Sequence, residues 1–329
     1  MINTMITVER LSKKYGSKLA VDDLSFTVPD GQVTGFLGPN GSGKSTTMRC
    51  ILGLDSPTTG QALFSDASGH GAQPFATMSN KPRIAGAILD STWHNKSRSG
   101  RNHLRVLARG AGISDARVEE CLETVGLTDA AGSKIGSYSL GMKQRLGVAA
   151  ALLGDPQHLL LDEPVNGLDP EGVSWMRRTI RALAEQGRAV LVSSHLLSEM
   201  QQTADRVVVI GRGKMIGEYS LDEFLADGTA IEVEVSDAAR LLTALGPVGR
   251  AVGAVPQGRT TVRIPLPDGM DEQQLRHDIA EAALQEKLLI THLVTRRENL
   301  EERFLAATAA AQEYRTSGVY QPGSQDSAN

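Results

Sequence analysis

The sequence has little cysteine and no long apolar run. Its two cysteines, Cys50 and Cys121, are too few for a disulfide framework, and free thiols are typical of a reducing cytosol. The longest apolar runs, such as Val148 to Leu153, are far shorter than the roughly 18–20 residues that a membrane-spanning helix needs. The N-terminus enters an alternating strand pattern and has no basic-then-apolar leader. We therefore expect a cytoplasmic chain that reaches a membrane only by docking to its inner face.

The sequence also has no excess of positive charge. Its formal net charge is −4, whereas a large sequence-independent nucleic-acid surface usually needs a basic excess. Hydrophobic residues make up 40% of the chain and charged residues 22%, and the 329 residues are enough for two domains. These figures favour a two-domain globular protein with no nucleic acid partner.

Short apolar segments alternate with helical patterns through the first two thirds of the chain. The predicted buried strands are Val33–Leu37, Leu159–Leu161, Ala189–Val192 and Val207–Ile210. Buried strands that alternate with helices predict a largely parallel sheet covered on both faces. Earlier strands are predicted over Met5–Glu9 and Ala20–Val28, and helices over Arg101–Ala111 and Asp115–Val125.

The pattern changes after about Leu225. A strand over Ile231–Val235 is followed by a helix through Leu245, a hairpin of Arg250–Val255 and Thr260–Leu266, a helix over Asp271–Glu286, a strand over Leu289–Thr295 and an amphipathic helix over Glu298–Ala311. The order β-α-β-β-α-β plus one helix is ferredoxin-like. We therefore expect a first domain over residues 1–225, an accessory α+β domain over 226–315 and a disordered tail over 316–329.

A glycine-rich segment follows the first predicted buried strand and precedes a helix. It consists of Gly38, Pro39, Asn40, Gly41, Ser42, Gly43, Lys44, Ser45 and Thr46. This segment matches the phosphate-binding loop pattern in full. Its glycines let backbone N–H groups turn toward phosphates, and the helix N-terminus adds a positive dipole end. Lys44 supplies a charge for the β- and γ-phosphates and Ser45 offers a hydroxyl to Mg²⁺, so we predict an ATP site.

Two carboxylates stand at the end of the next predicted buried strand, where Leu159–Leu161 leads directly into Asp162 and Glu163. Asp162 is placed to hold Mg²⁺, which prefers oxygen ligands. Glu163 is placed to orient or polarise the attacking water. A carboxylate pair that ends a strand in a solvated turn is the structural alternative, and the nearby phosphate loop favours the catalytic interpretation.

With these two elements in this order, the first domain resembles an ABC transporter nucleotide-binding subunit. Residues Tyr138–Arg145 are similar to the family's signature motif, usually LSGGQ, but Leu140 replaces a glycine and Met142 replaces a glutamine. Ser139 and Gly141 are retained. In the family this motif closes over the ATP of a partner cassette, so the resemblance implies a dimer. A plain helix start with Ser139 as its N-cap is the alternative.

The resemblance assigns roles to further residues. Asp169 lies in a segment similar to the D-loop, which bridges the two ATP sites of a dimer. His195 stands where the family has the histidine that reaches the γ-phosphate, and Tyr15 matches the aromatic residue that stacks on adenine. The alternatives are a polar cap for His195 and an exposed turn residue for Tyr15.

Asp90 departs from the family's pattern. The segment Ile84–Leu89 places Asp90 where the family has the glutamine that couples the ATP site to the permease. An aspartate there could orient water or sit near Mg²⁺, but an ionised carboxylate cannot donate a hydrogen bond. A plain turn residue is the alternative.

The resemblance also implies the fold and the function. The expected fold is a P-loop NTPase cassette with a mostly parallel sheet, N-terminal antiparallel strands and a helical subdomain. The segments Gly86–Leu107 and Asn299–Leu305 are similar to ATPases of bacterial drug and antibiotic exporters, including the daunorubicin-resistance type. We expect an ATPase with ATP and Mg²⁺ as cofactors that forms a homodimer and has an integral-membrane permease as partner.

Three other functions stay open. Soluble ABC proteins that act on ribosomes or DNA usually have two cassettes or long coiled coils, and this sequence has one phosphate loop and no sustained heptads. A nucleotide-binding regulator with weak hydrolysis is suggested by Leu140 and Asp90. An importer motor differs from an exporter motor here only in subfamily resemblance.

Overall fold

The computed structural model describes residues 5–65, 71–89, 94–221, 229–267 and 269–297. In chain order the elements up to residue 221 are β1 (Met5–Tyr15), β2 (Lys18–Pro29), β3 (Val33–Leu37), α1 (Lys44–Ile51), β4 (Thr59–Phe64), β5 (Gln73–Pro74), α2 (Lys81–Ile84), β6 (Ala85–Ile88), α3 (Gly100–Gly110), α4 (Asp115–Thr124), α5 (Leu140–Leu152), β7 (His158–Asp162), α6 (Pro170–Glu185), β8 (Ala189–Ser194), α7 (Leu197–Met200), β9 (Arg206–Gly211) and β10 (Lys214–Ser220). The later elements are β11 (Thr229–Val235), α8 (Ala238–Ala251), β12 (Val255–Pro256), β13 (Thr261–Pro265), α9 (Glu272–Gln285) and β14 (Ile290–Arg297).

Six of the strands between Val33 and Ser220 form one sheet of order β10-β9-β3-β8-β7-β6. Neighbouring strands from β9 to β6 are parallel, and β10 pairs antiparallel with β9. Every residue of β3 is buried, as expected for a parallel sheet with both faces covered. The predicted parallel sheet is therefore confirmed. Because parallel strands end at a common edge, the loops that follow β3, β7 and β8 meet there.

Two cores cover the two faces of this sheet. The side chains of β8 alternate, so that Val190 and Val192 join one core while Ala189 and Leu191 join the other. The first core contains residues of α3, α4, α5 and α6. The second contains α1 and the antiparallel sheet of order β2-β1-β4-β5. The N-terminal antiparallel strands expected from the sequence are therefore present, and they pack against the helix that follows the phosphate loop.

The C-terminal elements form a separate antiparallel sheet of order β12-β13-β11-β14. They follow the predicted β-α-β-β-α-β chain order, and their buried apolar side chains form a core of their own. The predicted hairpin is present as the antiparallel pair of β12 and β13, but its first strand is Val255–Pro256 and not Arg250–Val255, because helical residues run to Ala251. The helix predicted through Leu245 is interrupted at Gly246, whose φ of 49° and ψ of −120° are not helical, and a second short helical turn follows from Pro247 to Ala251. The amphipathic helix predicted over residues 298–311 and the tail lie outside the described residues.

Within the described ranges, no helix is both long enough and apolar enough to cross a bilayer. The longest helix of the first domain, α6, has 16 residues. Its buried residues, such as Met176, Ile180 and Leu183, recur at helical spacing. This pattern is that of a helix packed with one face on a sheet.

His158 is a buried histidine at the start of β7. Its side chain is 1% exposed, and its Nδ1 lies 2.8 Å from the Ile84 carbonyl oxygen. Because that oxygen can only accept, Nδ1 carries the proton, and Nε2 is buried with no hydrogen-bond partner among the described residues. The Phe64 ring packs at a right angle to the imidazole. Burial lowers the pKa of His158, and the bond to Ile84 opposes this effect only in part.

We predict that His158 makes the fold sensitive to acid. The unfolded chain binds a proton at His158 near pH 6.5, roughly the usual pKa, whereas the pKa of His158 in the folded chain is lowered, so stability falls as the pH falls through and below about 6.5. The contribution is at most about 1.4 kcal/mol per pH unit. The free energy of urea unfolding should depend less steeply on pH in His158→Gln. Exposed His277→Gln is the control, and a slope in His158→Gln equal to wild type would contradict the assignment.

Candidate nucleotide site

The predicted phosphate loop connects β3 to α1 at the carboxyl edge of the central sheet. Its backbone requires glycine at two positions where other chain segments approach closely. A Cβ atom on Gly38 would lie 2.7 Å from the Ile210 carbonyl oxygen, and one on Gly43 would lie 2.6 Å from the Ala20 carbonyl oxygen. Gly43 also has φ 106°, a conformation that side-chain-bearing residues rarely adopt. The loop is therefore held tightly between β2 and β9, with α1 beginning at Lys44.

Lys44 is the buried cation of this loop. Its side chain is 5% exposed, and Nζ donates to the carbonyl oxygens of Gly38 at 2.7 Å and Pro39 at 3.3 Å. The same nitrogen lies 3.4 Å from Glu163 Oε1. Burial lowers the pKa of Lys44, and the charge of Glu163 opposes that shift. The nearby Ser42 Oγ is buried with no hydrogen-bond partner among the described residues, so the loop contains an unused polar group that a phosphate oxygen could engage.

A cavity of about 330 Å³ opens beside the loop. It is lined by Tyr15, Lys18, Ala20, Asn40, Gly41, Gly43, Lys44, Ser45, Thr46 and Glu163. The predicted base-stacking residue, the predicted phosphate ligands and the predicted catalytic carboxylate thus share one space. Tyr15 is the last residue of β1 and is 46% exposed, which leaves its ring available for stacking on a ligand.

Asp162 and Glu163 emerge from β7 beside the end of β8. Asp162 is in register with Ser193, whose Oγ donates to Asp162 Oδ1 at 2.5 Å and accepts from the Glu163 backbone N–H at 2.9 Å. Glu163 has φ 46°, a left-handed conformation that is strained for a residue with a side chain. Ser193 therefore ties both carboxylates to the neighbouring strand. The sequence interpretation gave Ser193 no role, although its place at the end of a parallel strand adjacent to β7 was the available signal.

The Glu163 carboxylate lies close to three side chains of the site. Its Oε1 faces Lys44, and its Oε2 lies 3.2 Å from His195 Nδ1 and 3.3 Å from Asn166 Nδ2. The contact with His195 is close without a well-aligned hydrogen bond, because Nδ1 has no hydrogen-bond partner by geometry. His195 is 31% exposed. The predicted residues Lys44, Asp162, Glu163 and His195 are thus brought together at one edge of the sheet.

The signature-like segment and the D-loop-like segment form a second cluster. Ser139 caps α5, accepting from the Met142 N–H at 3.2 Å, and Asp169 caps α6, accepting from the Gly172 N–H at 2.9 Å. The N-cap alternative for Ser139 is therefore realised in the structure. Gly141 faces Leu168, with Leu168 Cδ2 lying 3.9 Å from the position of a Cβ on Gly141. Among the residues that line the phosphate cavity, none belongs to this cluster.

Leu140, which replaces the family's glycine, packs toward the D-loop-like segment. Its Cδ2 lies 2.9 Å from the position of a Cβ on Gly167, which has φ 74°. Leu140 is itself 39% exposed. The larger side chain is therefore accommodated because Gly167 has none, and it adds a contact between the two segments.

The residues predicted to bind Mg²⁺ are only partly described. Ser45 lines the phosphate cavity and Asp162 stands at the adjacent strand end, while Asp90 lies outside the described residues. In the described part of the chain, no three His, Cys, Asp or Glu residues cluster as a metal site. A hydroxyl and one carboxylate suit Mg²⁺, which keeps several waters and takes other oxygens from substrate phosphates. The donor set therefore fits a cation that arrives with a nucleotide.

Comparisons with known proteins agree with this geometry. Residues 21–166 match a family model described as ABC transporter. The ABC transporter ATP-binding protein YdbJ of Bacillus subtilis (strain 168) is 35% identical over 315 residues, covering 95% of this chain and 98% of the relative. The bacitracin transport ATP-binding protein BcrA of Enterococcus faecalis is 36% identical, covering 91% and 95%. The daunorubicin resistance ATP-binding protein DrrA3 of Streptomyces coeruleorubidus is 33% identical, covering 94% and 97%.

Solved structures are similar to about two thirds of this chain. A structure described as an ATP binding subunit of an ABC transporter is 27% identical and has a TM-score of 0.59. The match covers 67% of this chain and 91% of that chain. The expected mixed α/β fold with a parallel sheet and antiparallel strands is thus confirmed.

We predict that Ser193 stabilises the fold through its two hydrogen bonds. Ser193→Ala leaves Asp162 Oδ1 and the Glu163 N–H without this partner, so the free energy of unfolding should fall by about 1–3 kcal/mol. Ser137→Ala is the control, because the hydroxyl of Ser137 is exposed and bonds only locally to Lys134; its effect should be below about 0.5 kcal/mol. Chemical denaturation measures both, and equal losses would contradict the role given to Ser193.

Proposed function

This chain belongs to the family of ABC transporter ATP-binding proteins, and we propose that it hydrolyses ATP to power an exporter whose membrane permease is a separate chain. The substrate class rests on the relatives, whose names refer to bacitracin transport and daunorubicin resistance. A drug, an antibiotic or a lipid-like molecule is the proposed cargo. The chain would then work on the cytoplasmic face of the membrane.

One observation carries this proposal: the Glu163 carboxylate meets Lys44 and His195 beside the phosphate loop. In phosphoryl transfer the protein contributes mainly position and charge. Lys44 and the loop N–H groups hold the β- and γ-phosphates. A water oxygen attacks the γ-phosphorus, the bond to the β,γ-bridging oxygen breaks, and ADP departs with that electron pair. Glu163 takes the proton of the water, and His195 stands next to it to contact the γ-phosphate.

The contact between Lys44 and Glu163 bears on how Glu163 would act as a base. Lys44 faces Glu163 and two loop carbonyl oxygens. A triphosphate carries more negative charge than one carboxylate and would draw Lys44 toward itself. Lys44 would then bind the phosphates and leave the Glu163 carboxylate free to accept a proton from water.

We propose that Ser45 and Asp162 hold Mg²⁺ together with phosphate oxygens. The cation would neutralise charge on the β- and γ-phosphates. Ser193 orients Asp162 through its short hydrogen bond, in the way that outer hydrogen bonds orient metal-binding carboxylates. Asp90, which lies outside the described residues, stays a proposed neighbour of this site.

A homodimer is the proposed working state. Ser139 and Asp169 are exposed and Gly141 is partly exposed at the starts of α5 and α6, away from the cavity of their own chain. The N-terminus of α5, a helix of 13 residues, can offer backbone N–H groups to an anion. We propose that these three residues complete the ATP site of a second copy.

A permease is the proposed membrane partner. Two adjoining cavities of about 200 and about 350 Å³ lie between the edge strand β6 and the helices α3 and α5. They share Ala87, Leu107 and Ala150 as lining residues. Leu107 is 43% exposed. An apolar groove next to a sheet edge suits a helix of a partner protein.

The proposed domain division follows the buried cores. Members of the two cores of the cassette lie within residues 6–221, while the third core draws on residues 231–293. This supports a cassette over residues 1–225 and an accessory domain over 226–315, with a tail over 316–329. The strand order of the accessory sheet supports the ferredoxin-like proposal.

We predict that Glu163→Gln separates binding from turnover. The amide keeps the size of the side chain but cannot accept a proton at this step, so the ATPase rate should fall by at least about 100-fold while ATP still binds. Steady-state phosphate release and equilibrium ATP binding are the measurements. Glu171→Gln, in the exposed first turn of α6, is the control and should keep wild-type turnover.

Turnover that persists in Glu163→Gln would remove Glu163 from the mechanism. Wild-type protein that binds ATP without measurable turnover would favour a nucleotide-binding regulator. RNA- or DNA-stimulated turnover would favour a soluble ABC protein over an exporter motor.

We predict that Leu107→Asp uncouples the ATPase from the permease. A charge in an apolar contact costs enough to weaken docking by about tenfold or more, so stimulation of phosphate release by membranes containing the candidate permease should be lost while basal turnover is retained. Val106→Asp is the matched control, because Val106 is 50% exposed on the same helix and lies outside both cavities. Equal effects of the two variants would contradict the proposed groove.

A further inference from the structure

The ring of Tyr15 is fixed at the rim of the nucleotide cavity by two contacts. Its hydroxyl donates to Asp55 Oδ2 at 2.7 Å. Lys13 Nζ lies 4.8 Å from the ring centroid on one face, within the range of a cation–π contact. A nucleotide base can therefore stack only on the other face. An exposed turn tyrosine without such partners would sample several rotamers, so these contacts reduce the conformational entropy lost when a base stacks on it.

Asp55 is itself held by the helix that follows the phosphate loop. Arg49, in the last turn of α1, donates from Nε to Asp55 Oδ2 at 2.8 Å and from Nη2 to Oδ1 at 3.2 Å. This two-point contact fixes the plane of the carboxylate. The hydrogen bonds from Arg49 and Tyr15 lower the pKa of Asp55 to about 2, so the carboxylate stays ionised near neutral pH. The hydrogen bond to Asp55 likewise raises the pKa of Tyr15, and its hydroxyl remains a donor.

These contacts connect both ends of the nucleotide site through one rigid element. Lys44 begins α1 and Arg49 stands near its end, so the group that binds the phosphates and the group that anchors the Tyr15 ring belong to the same short helix. The backbone N–H of Leu54 also bonds to the Arg49 carbonyl oxygen at 2.9 Å, which closes the turn that carries Asp55. The distance between the phosphate loop and the aromatic ring is thereby set by the fold.

We propose that Asp55, supported by Arg49, is a positioning residue that holds Tyr15 in place for the base of the nucleotide. This inference rests on the proposed function, in which Tyr15 stacks on adenine. Asp55 acts through Tyr15 and does not touch the phosphates. Loss of the Asp55 carboxylate should therefore weaken the binding of ligands that carry a base and leave the binding of base-free polyphosphates unchanged.

The experiment compares two probes by titration calorimetry: a non-hydrolysable ATP analogue and inorganic triphosphate. Tyr15→Phe keeps the ring and removes the hydroxyl, while Asp55→Leu removes both acceptor oxygens and keeps a branched side chain of similar size. Each substitution should weaken binding of the ATP analogue by about 3- to 10-fold, the effect of one lost hydrogen bond. Each should leave the affinity for triphosphate within about twofold of wild type. The double variant should be no weaker than either single variant, since both remove the same interaction. In ATPase assays KM should rise by the same factor with kcat retained.

Asp115→Leu is the matched control, because Asp115 is a carboxylate paired with Arg105 and Arg109 that does not line the cavity. Unchanged analogue binding in Asp55→Leu, with loss in Tyr15→Ala, would overturn the role of Asp55 and leave the nucleotide site intact. Equal weakening of both probes would show a general structural effect and would also overturn it. If wild type binds the analogue no more tightly than triphosphate, Tyr15 does not stack on the base. That result would contradict the proposed function and not only the role of Asp55.

Discussion

The constraint on which the site depends is the parallel pairing of β3, β8 and β7. Leu37 is in register with Ser194, and Asp162 is in register with Ser193, so the phosphate loop, the carboxylates and His195 leave the sheet at one edge. A shift of one residue would turn Ser193 to the opposite face and break its bonds to Asp162 and the Glu163 N–H. Strands buried on both faces resist such a shift, because it would also displace every apolar side chain that they place in the two cores.

The parts of the site that could be predicted from the sequence are those that local chemistry dictates. The phosphate loop is one continuous segment, and its glycines are required where the chain passes Ile210 and Ala20. Asp162 follows a short apolar strand, which is also a local pattern. Ser193 and Asp55 act through partners 31 and 40 residues away, and only the strand register and the turn after α1 bring them close. The end of a predicted strand marks the place of Ser193, but nothing near either residue in the sequence identifies its partner.

Outside the site, errors occurred where local signals and packing disagreed. Gly246 and Pro247 are strong signals for the end of a helix, and the helix predicted through Leu245 does break at Gly246, whose φ and ψ are not helical. A second helical turn nonetheless follows to Ala251, with Gly249 buried, so the next strand starts at Val255, later than predicted. The strand β10 was not predicted, because Lys214–Ser220 has no clear alternation and pairs with β9 across the Arg212-Gly213 turn. In both places tertiary contacts decided the structure.

The charges at the centre of the site explain why Glu163 is held where it is. A buried lysine left unpaired is costly, since burial disfavours its charged form, and the charge of Glu163 opposes this effect. The strained backbone of Glu163, held by Ser193, keeps the carboxylate within reach of both Lys44 and His195. Under the proposed function the same placement serves the reaction, because a triphosphate that binds Lys44 would take over that cation and leave the Glu163 carboxylate free to accept a proton from water.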